Sequence, residues 1–358
     1  MKKCPYCDFN SHEAHGKIPE EDYLAALIGD LETALPQVWG RRVSSVFIGG
    51  GTPSLFTAKG LDTLLAAIRA RLNLIPDAEI TLEANPGTVE AEKFAAFRAA
   101  GVNRISLGIQ SFSDAHLGAL GRIHSASDAR RAIEVAQRHF DNVNLDLMYA
   151  LPQQSLGQAL QDLQTALSVA PQHLSAYHLT LEPNTPFHHA PPPLPDDELS
   201  ADMQEMIEET LAHAGYQHYE TSAFALAGRR CAHNLNYWTF GDYLGIGAGA
   251  HGKLSSFAGI ARESRRRNPR DYLGGDFLQE RHAVVASELP FEFMMNALRL
   301  TEGVPSRLFE ERTGLNISVA AEAMEKAKRQ GLLTVNSETI FPTRLGQRFL
   351  NDLLQMFL

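Results

Sequence analysis

The amino-acid sequence predicts an α/β protein whose first half forms a parallel sheet. Three features indicate this fold class: β-rich and helical segments alternate regularly, the predicted strands end in glycine or polar residues, and a proline-rich stretch closes the alternating region. Strands and helices that alternate at this spacing form successive βα units, and such units give parallel strands joined by right-handed crossovers.

The alternating segments are located by the periodicity of their apolar residues and by their β-branched content. Helical periodicity predicts helices over 20–35, 58–72, 89–101, 125–139 and 156–169. The β-rich runs between them predict strands over 43–51, 79–87, 104–112, 142–152 and 173–183. Each predicted strand is followed by a helix, which is the order that a parallel sheet requires.

Residues of the kind that bind ligands lie at the ends of four consecutive predicted strands. They are the glycine-rich Gly49–Thr52, then Glu83, Gln110 and Asp146. Ligands of parallel α/β folds gather at the carboxyl ends of the strands. Taken singly, each residue is compatible with a structural or surface role, but their shared placement predicts a binding site.

The second half of the chain begins at the proline-rich stretch 190–197 and changes character twice. A helix is predicted over 196–214, followed by β-rich segments over 216–224 and 231–252. From Leu289 the pattern becomes helical, with a short two-stranded wing. These changes predict three parts: a first domain over 1–190, a β-rich extension over 191–287, and a winged-helix-like domain over 288–358.

Composition narrows the class of protein. The 358 residues are 44% hydrophobic and 21% charged, with a net charge of −10, which argues against a general nucleic-acid-binding protein. The basic run 262–270 is most simply a solvated loop, although it could also meet an anionic ligand. Three cysteines form no disulfide framework, and neither a membrane span nor a signal peptide is evident, so we expect a cytoplasmic protein.

Cys4 and Cys7 have the C-x2-C spacing of metal or cluster ligands. A structural zinc site would need two more ligands, which Cys231 and His233 could supply. A 4Fe-4S cluster would need a third thiolate. The residues alone leave both alternatives open.

Two histidines are further candidates for binding. His233 lies in "CAHNLNYW", close to Tyr237 and Trp238, and His251 lies in "GAGAHG". A histidine in apolar surroundings is often a core residue with its hydrogen bonds satisfied. An imidazole beside aromatic rings that can cover a flat ligand also suits the ligation of haem iron.

The segments "KCPYCDFNSH", "FIGGGTPSL", "LEANPG", "ISLGIQSF", "LGRIHS", "LDLMYALP", "HNLNYW" and "GAGAHG" together resemble the radical S-adenosylmethionine (SAM) family around oxygen-independent coproporphyrinogen III oxidase. The resemblance extends over the whole chain. It implies a partial (β/α) barrel of radical SAM type that lacks its first strand here, followed by a C-terminal helical, winged-helix-like domain.

The resemblance also implies a 4Fe-4S cluster held by C-x3-C-x2-C, at which SAM is cleaved reductively to a 5′-deoxyadenosyl radical. Cys4 and Cys7 match the second and third cysteines of that motif, and the first would fall immediately ahead of Met1. A start assigned too late, or a sequence cut there, would account for the missing cysteine. Otherwise His12 or Cys231 would have to complete the cluster site.

Carried over residue by residue, the family's SAM site falls on ten positions of this chain. Tyr6 would contact the adenine region through its backbone, and Gly50, Gly51 and Thr52 would bind the methionine amino group. Glu83 and Asp146 would bind the ribose, while Gln110 and Arg122 would hold polar and carboxylate groups. Thr180 and His251 would contact the adenosine.

The sequence resembles the haem chaperone branch of the family in two places. Cys7 is followed by Asp8 and Phe9, where the oxidases have a further cysteine, and "HNLNYW" matches a signature associated with haem binding. This implies a protein that binds haem through His233, Tyr237 and Trp238 and transfers it to acceptor proteins. Nucleic acid is not an expected partner, and any membrane association would be weak and would occur through partner proteins. The resemblance is compatible with a monomer and with a cofactor-dependent homodimer. The alternatives are a coproporphyrinogen-decarboxylating radical enzyme and, more remotely, a zinc-stapled binding protein.

Overall fold

The computed structural model of the chain describes residues 3–11 and 19–358. Contacts within the described residues divide them into two compact units. The first comprises 3–11, 19–28, 39–218 and 222–230, and the second comprises 29–38, 219–221 and 231–358. No helix among the described residues is both long enough and apolar enough to cross a membrane.

The elements up to residue 225 follow the predicted alternation of helices and strands. In chain order they are α1 Glu20–Val38, β1 Arg42–Ile48, α2 Ala58–Arg71, β2 Asn73–Ala84, α3 Ala91–Ala100, β3 Arg104–Gln110, α4 Asp114–Ala119, α5 Ala126–His139, β4 Val143–Tyr149, α6 Leu156–Ser168, β5 His173–His178, α7 Pro186–His189, α8 Asp197–His213, β6 Gln217–Glu220 and β7 Ala223–Ala225. Short 3₁₀ helices occur at Pro53–Leu55 and Pro86–Thr88.

These strands form a curled seven-stranded half-barrel sheet in the order β1-β2-β3-β4-β5-β7-β6. The pairs from β1 to β5 are parallel, and β7 runs antiparallel to β5. The expectation of consecutive βα units is therefore confirmed. Since the strands are parallel, their carboxyl ends lie along one edge of the sheet.

Local sequence signals fix where the helices of this unit begin. Ser125 and Ser155 each start a helix with a capping box, in which the serine side chain accepts from the backbone of the third helical residue and that residue's side chain bonds back. The inner faces of α5 and α6 bury aliphatic residues such as Ile133 and Leu163. Burial of these apolar faces against the sheet supplies the main stabilising free energy.

The elements from residue 232 onward are shorter. They are α9 Ala232–Trp238, β8 His251–Ser256, β9 Gly259–Arg265, α10 Pro269–Leu273, β10 Leu278–Ala283, α11 Leu289–Ala297, β11 Val304–Pro305, α12 Arg307–Thr313, α13 Ala321–Arg329, β12 Leu333–Val335, β13 Thr339–Pro342, α14 Arg344–Arg348 and α15 Leu350–Gln355. One sheet has the order β10-β9-β8 and a second the order β11-β13-β12.

The prediction for 231–252 was partly wrong. Residues 232–238 form the helix α9, and only the end of the segment enters a strand, β8. The rings of His233, Tyr237 and Trp238 lie on this helix, and Tyr237 stacks on Tyr243. The C-terminal wing is confirmed, since β12 and β13 form an antiparallel pair, and the two-residue β11 adds a third strand. The three-part domain division stays a prediction.

Candidate functional site

The glycine-rich loop after β1 presents its backbone to open space. Gly50 has φ +107°, and no atom of residues 3–11 or 19–358 lies within 4 Å of the position that a Cβ would occupy there. Its N–H donates to Glu83 Oε2 over 3.1 Å, and a Cβ on Gly49 would lie 3.0 Å from the Glu83 carboxyl group. A Cβ on Gly51 would lie 4.0 Å from Ser11 Cβ, so the N-terminal segment runs beside this loop. Such an open loop allows the backbone to approach a ligand closely.

Two carboxyl groups lie inside the sheet next to this loop. Burial and the charge of Asp146 raise the pKa of Glu83, on β2, to about 7. Burial also raises the pKa of Asp146, on β4, while hydrogen bonds from Asn144 and Ser106 oppose that rise. Asp146 lies three residues before the end of β4, deeper than the predicted strand end. Paired buried carboxyl groups are suited to accept hydrogen bonds from hydroxyl groups of a ligand.

Arg122 brings the β3 edge and the N-terminal cysteine loop together. Its Nη2 donates to the carbonyl of Gly108 over 2.8 Å, and its Nη1 lies 4.0 Å from Cys4 Sγ. Its Nε is buried and has no hydrogen-bond partner among the described residues. Gln110 ends β3 in the left-handed region, at φ +67°. A guanidinium with a donor to spare at this position suits a carboxylate ligand.

The cysteine loop is seated on the first unit by its aromatic residue. Cys7 N–H donates to the carbonyl of Cys4 over 3.2 Å, which closes the loop, and Cys4 Sγ lies 3.9 Å from the Gly121 carbonyl. Tyr6 packs on an apolar cluster formed by Leu120, Met148, Leu151, Leu179 and Phe187. Burial raises the pKa of Tyr6. The loop is thus fixed beside Arg122, with both thiols half-buried.

The metal predictions have different outcomes. In residues 3–11 and 19–358, no three His, Cys, Asp or Glu side chains are grouped so that they could hold a metal ion. No such group includes Cys4, Cys7, Cys231 or His233, so the described residues give no support to the zinc alternative. Cys4 and Cys7 supply two thiolates toward a cluster, and their role as cluster ligands stays a prediction. His12 lies outside the described residues.

Three of the predicted SAM residues, Thr52, Thr180 and His251, make no contact with the other predicted SAM residues in the contacts described above. Thr52 caps the 3₁₀ helix Pro53–Leu55, and its carbonyl accepts from Leu55 N–H over 3.1 Å. The Thr180 hydroxyl, just past β5, donates to the His178 carbonyl over 3.4 Å. His251 is exposed at the start of β8 in the second unit. Their assignments to SAM stay predictions.

The predicted haem residues share the short helix α9 of the second unit. The rings of His233 and Tyr237 lie 4.9 Å apart, and Tyr237 stacks on Tyr243 with centroids 4.1 Å apart. Tyr237 also meets Trp238 edge-on at 6.2 Å, and the Arg299 guanidinium lies over the Trp238 ring at 4.5 Å. Each residue of α9 is partly exposed. One imidazole and several aromatic rings therefore form a half-exposed face, on which a flat ligand could stack.

The polar residues that support Asp146 were not predicted from the sequence. Ser106, Asn144, His173 and Ser175 are all buried and lie on β3, β4 and β5. Their signal was available as polar residues at alternate positions of otherwise apolar strands, as in "NLDL" and "HLSAY". Tyr243 was also missed, because its stacking on Tyr237 depends on the fold.

Two family models match the chain, and they agree with this fold. One is described as the radical SAM superfamily and matches residues 1–166, and the other, the HemN C-terminal domain, matches residues 286–349. A solved structure of coproporphyrinogen III oxidase (HemN) from Escherichia coli, a radical SAM enzyme, is similar in fold, with a TM-score of 0.83 at 21% identity over 99% of this chain and 87% of that one.

Similar proteins of known name cover the full length of the chain. Heme chaperone HemW of Escherichia coli is 50% identical over 100% of this chain and 95% of its own length, and heme chaperone HemW of Haemophilus influenzae is 49% identical over the same shares. A mitochondrial radical S-adenosyl methionine domain-containing protein 1 of Bos taurus is 37% identical over 99% of this chain and 84% of its own length. The chain therefore belongs to the radical SAM superfamily, in the family of the heme chaperone HemW proteins.

Proposed function

We propose that this protein is a haem chaperone, which binds haem on the aromatic face of α9 and passes it to acceptor proteins. The observation that carries the proposal is the aromatic cluster of His233, Tyr237 and Tyr243, in which the His233 imidazole lies tilted against Tyr237 and Tyr237 stacks on Tyr243. The names of the full-length relatives support the same function. Imidazole nitrogen supplies the iron ligand that such a site needs.

The first unit is proposed to bind SAM at the carboxyl edge of its sheet. The residues fit this ligand in charge and shape. Within the described part of the chain, Gly50 has room beside it and the buried Arg122 Nε has no hydrogen-bond partner, while Glu83 and Asp146 are buried carboxyl groups. Arg122 would hold the carboxylate, Gly50, Gly51 and Thr52 the amino group, and the two carboxyl groups the ribose hydroxyls.

Cys4 and Cys7 would be two of the thiolate ligands of a 4Fe-4S cluster beside this SAM site. When bound, such a cluster supplies one electron to the sulfonium of SAM. The chain's own contributions are to orient SAM through Arg122 and to cover this side of the site with Tyr6 and its apolar neighbours. Haem binding on α9 can be tested without a cluster.

A haem titration with two matched variants tests the proposal. We expect wild-type protein to bind haem with a shift of its Soret band, and His233→Ala to bind about tenfold or more weakly with an altered Soret band. His213→Ala is the control, because His213 is exposed at the end of α8 and bonds only to the backbone of its own helix in the described contacts. Equal affinity and spectra for wild type and His233→Ala would overturn the assignment.

The alternative is oxidative decarboxylation of coproporphyrinogen, the activity named for the E. coli protein of similar fold. Asp8 and Phe9 directly after Cys7 disfavour it, since the oxidases have a further cysteine there. Protein loaded with cluster and SAM under reducing, anaerobic conditions should leave coproporphyrinogen III unchanged. Conversion to protoporphyrinogen would replace the chaperone proposal with this one.

A further inference from the structure

A hydrogen-bonded row of buried side chains lies behind Asp146. Asn144 Nδ2 donates to Asp146 Oδ1 over 2.8 Å and to Ser106 Oγ over 2.7 Å, and Ser106 Oγ donates to Asp146 Oδ2 over 3.1 Å. Both oxygens of the carboxyl group are therefore held by one amide and one hydroxyl. Asn144 is 2% exposed, so water cannot replace these bonds.

His173 lies at the far end of this row, on β5 directly across from Asn144. Its Nδ1 is 2.6 Å from Asn144 Oδ1, and the ring is fully buried. Ser175 Oγ also lies 3.2 Å from Asn144 Oδ1, but its hydroxyl can rotate and is within reach of Asp146 as well. His173 is therefore the donor of fixed direction to the Asn144 carbonyl.

The directions of the bonds in the row are consistent with one another. Asn144 Nδ2 and Ser106 Oγ both donate to Asp146, so the Asn144 amide turns its NH₂ toward Asp146 and its carbonyl toward β5. A carbonyl only accepts, so the His173 proton must be on Nδ1. Burial holds the pKa of His173 well below its ordinary value, with the charge of Arg104 acting in the same direction, and this keeps the ring neutral.

We propose that His173 is a positioning residue of the nucleoside site: its Nδ1–H fixes the Asn144 amide, and the fixed amide aims the Asp146 carboxylate at a ribose hydroxyl of the ligand. The inference rests on the proposed SAM site and deepens it. Without the Nδ1 donor, the Asn144 amide can turn over and bring its carbonyl oxygen against Asp146 Oδ1. The carboxyl group would then rotate or take up a proton, and it would no longer accept from the ribose.

Nucleosides that lack one hydroxyl group test this role without cluster or turnover. Adenosine, 2′-deoxyadenosine and 3′-deoxyadenosine are titrated by NMR into wild type, His173→Leu, His173→Asn and His116→Leu. Asn places an amide NH₂ near the position of Nδ1 and should act as the conservative replacement. His116 is a second buried histidine, on α4, and its Nδ1 has no hydrogen-bond partner in the described part of the chain, so it controls for loss of a buried ring.

We expect wild type and His116→Leu to bind at least one deoxynucleoside about tenfold more weakly than adenosine, as expected for the loss of a hydrogen bond to a charged group. In His173→Leu that penalty should fall below about threefold, while His173→Asn should keep most of it. Wild type that binds all three nucleosides equally, or none, would overturn the SAM proposal and the inference with it. Wild type that discriminates, with His173→Leu discriminating equally, would overturn the inference alone.

The tautomer of His173 gives a second readout, which does not depend on any ligand or on the stability of a variant. Long-range ¹H–¹⁵N spectra of the wild-type histidines should show His173 as the neutral Nδ1–H form from about pH 6 to pH 8. A proton on Nε2, or protonation of the ring within this range, would contradict the proposed role whatever the nucleosides do.

Discussion

At the scale of single residues, Glu83 is a group of the candidate site whose pKa is strongly raised. Its carboxyl group is buried beside Asp146, and the Gly50 N–H only partly compensates for that burial. Two carboxyl groups in one dry interior cannot both ionise cheaply. This unfavourable burial of two carboxyl groups occurs where we propose that a ribose is bound.

The pH dependence of stability should reveal this cost. Because burial raises the pKa of Glu83 from 4.5 to about 7, folding favours the protonated form. Relative to Glu83→Gln, the free energy of unfolding of wild type should fall as pH rises above about 4.5, by roughly 3 kcal/mol in all, and level off above about pH 8. Urea unfolding at a series of pH values measures it. A constant difference between the two proteins across this range would contradict the assignment.

Gly50 is the second residue whose role can be tested alone. At φ +107° an alanine is strained even though its Cβ would meet open space. We expect Gly50→Ala to lower the free energy of unfolding by about 1–2 kcal/mol. Gly157→Ala is the matched control: it also meets open space, but within helix α6, and should be neutral or stabilising by up to about 1 kcal/mol. Thermal unfolding of both variants compares them, and equal losses would rule out backbone strain as the cause.

At the scale of elements, helix α6 holds the loop that follows β3. Asp162 on this helix accepts from Ser111 Oγ over 2.6 Å and from Phe112 N–H over 2.8 Å. These are the two residues after Gln110, whose φ of +67° is unusual for a residue with a side chain. A strained strand end persists where its surroundings fix it, and α6 supplies that constraint.

Removing the Asp162 carboxylate should release this loop. We expect Asp162→Ala to destabilise the protein by about 2 kcal/mol, because the buried Ser111 hydroxyl and the partly buried Phe112 N–H lose their acceptor. Hydrogen exchange at residues 110–113 should become faster than in wild type. Asp162→Asn keeps an acceptor for Phe112 N–H and should lose less. Unchanged exchange in Asp162→Ala would show that α6 does not hold the loop.

At the scale of the whole molecule, helix α1 contributes to both compact units. Residues 20–28 have their contacts in the first unit, where Glu20 accepts from Thr57, and residues 29–38 have theirs in the second. Within the second unit, Asp30 is buried and accepts from Arg265 Nε over 2.8 Å and from the Tyr272 hydroxyl over 2.8 Å. Removing Asp30 is costly, because Arg265 would keep only Glu263 as its buried partner, and Arg265 Nε and the Tyr272 hydroxyl would both lose their acceptor.

Asp30→Ala should therefore destabilise the second unit by about 3 kcal/mol or more. Asp276→Ala is the control, because Asp276 pairs with Arg266 at an exposed position and should contribute less than about 1 kcal/mol. Hydrogen exchange over 29–38 and 259–273, together with urea unfolding, distinguishes the two. Similar losses in both variants would indicate that burial of the Asp30–Arg265 pair does not determine its contribution.

Much of the first unit could be predicted from local patterns. Apolar periodicity and capping serines such as Ser125 and Ser155 depend on neighbours within one turn, so α5 and α6 begin within one residue of their predicted starts. The segment 232–238 was misjudged, because Tyr237 and Trp238 are favoured in strands when their partners are unknown. Only the fold brings Tyr243 onto Tyr237 and turns this segment into a helix with an aromatic face.

The sequence by itself determined the order of the βα units and the polar residues at the strand ends that could bind a ligand. Both follow from the order and the chemistry of residues along the chain. The sequence also carried the family resemblance, which depends on ordered motifs. Only the tertiary structure decided which groups share an environment: that Arg122 approaches Cys4, that Asp162 fixes the residues after Gln110, and that His173 supports Asp146 through Asn144. Those relations depend on pairing between strands and on burial, which join residues far apart in the chain.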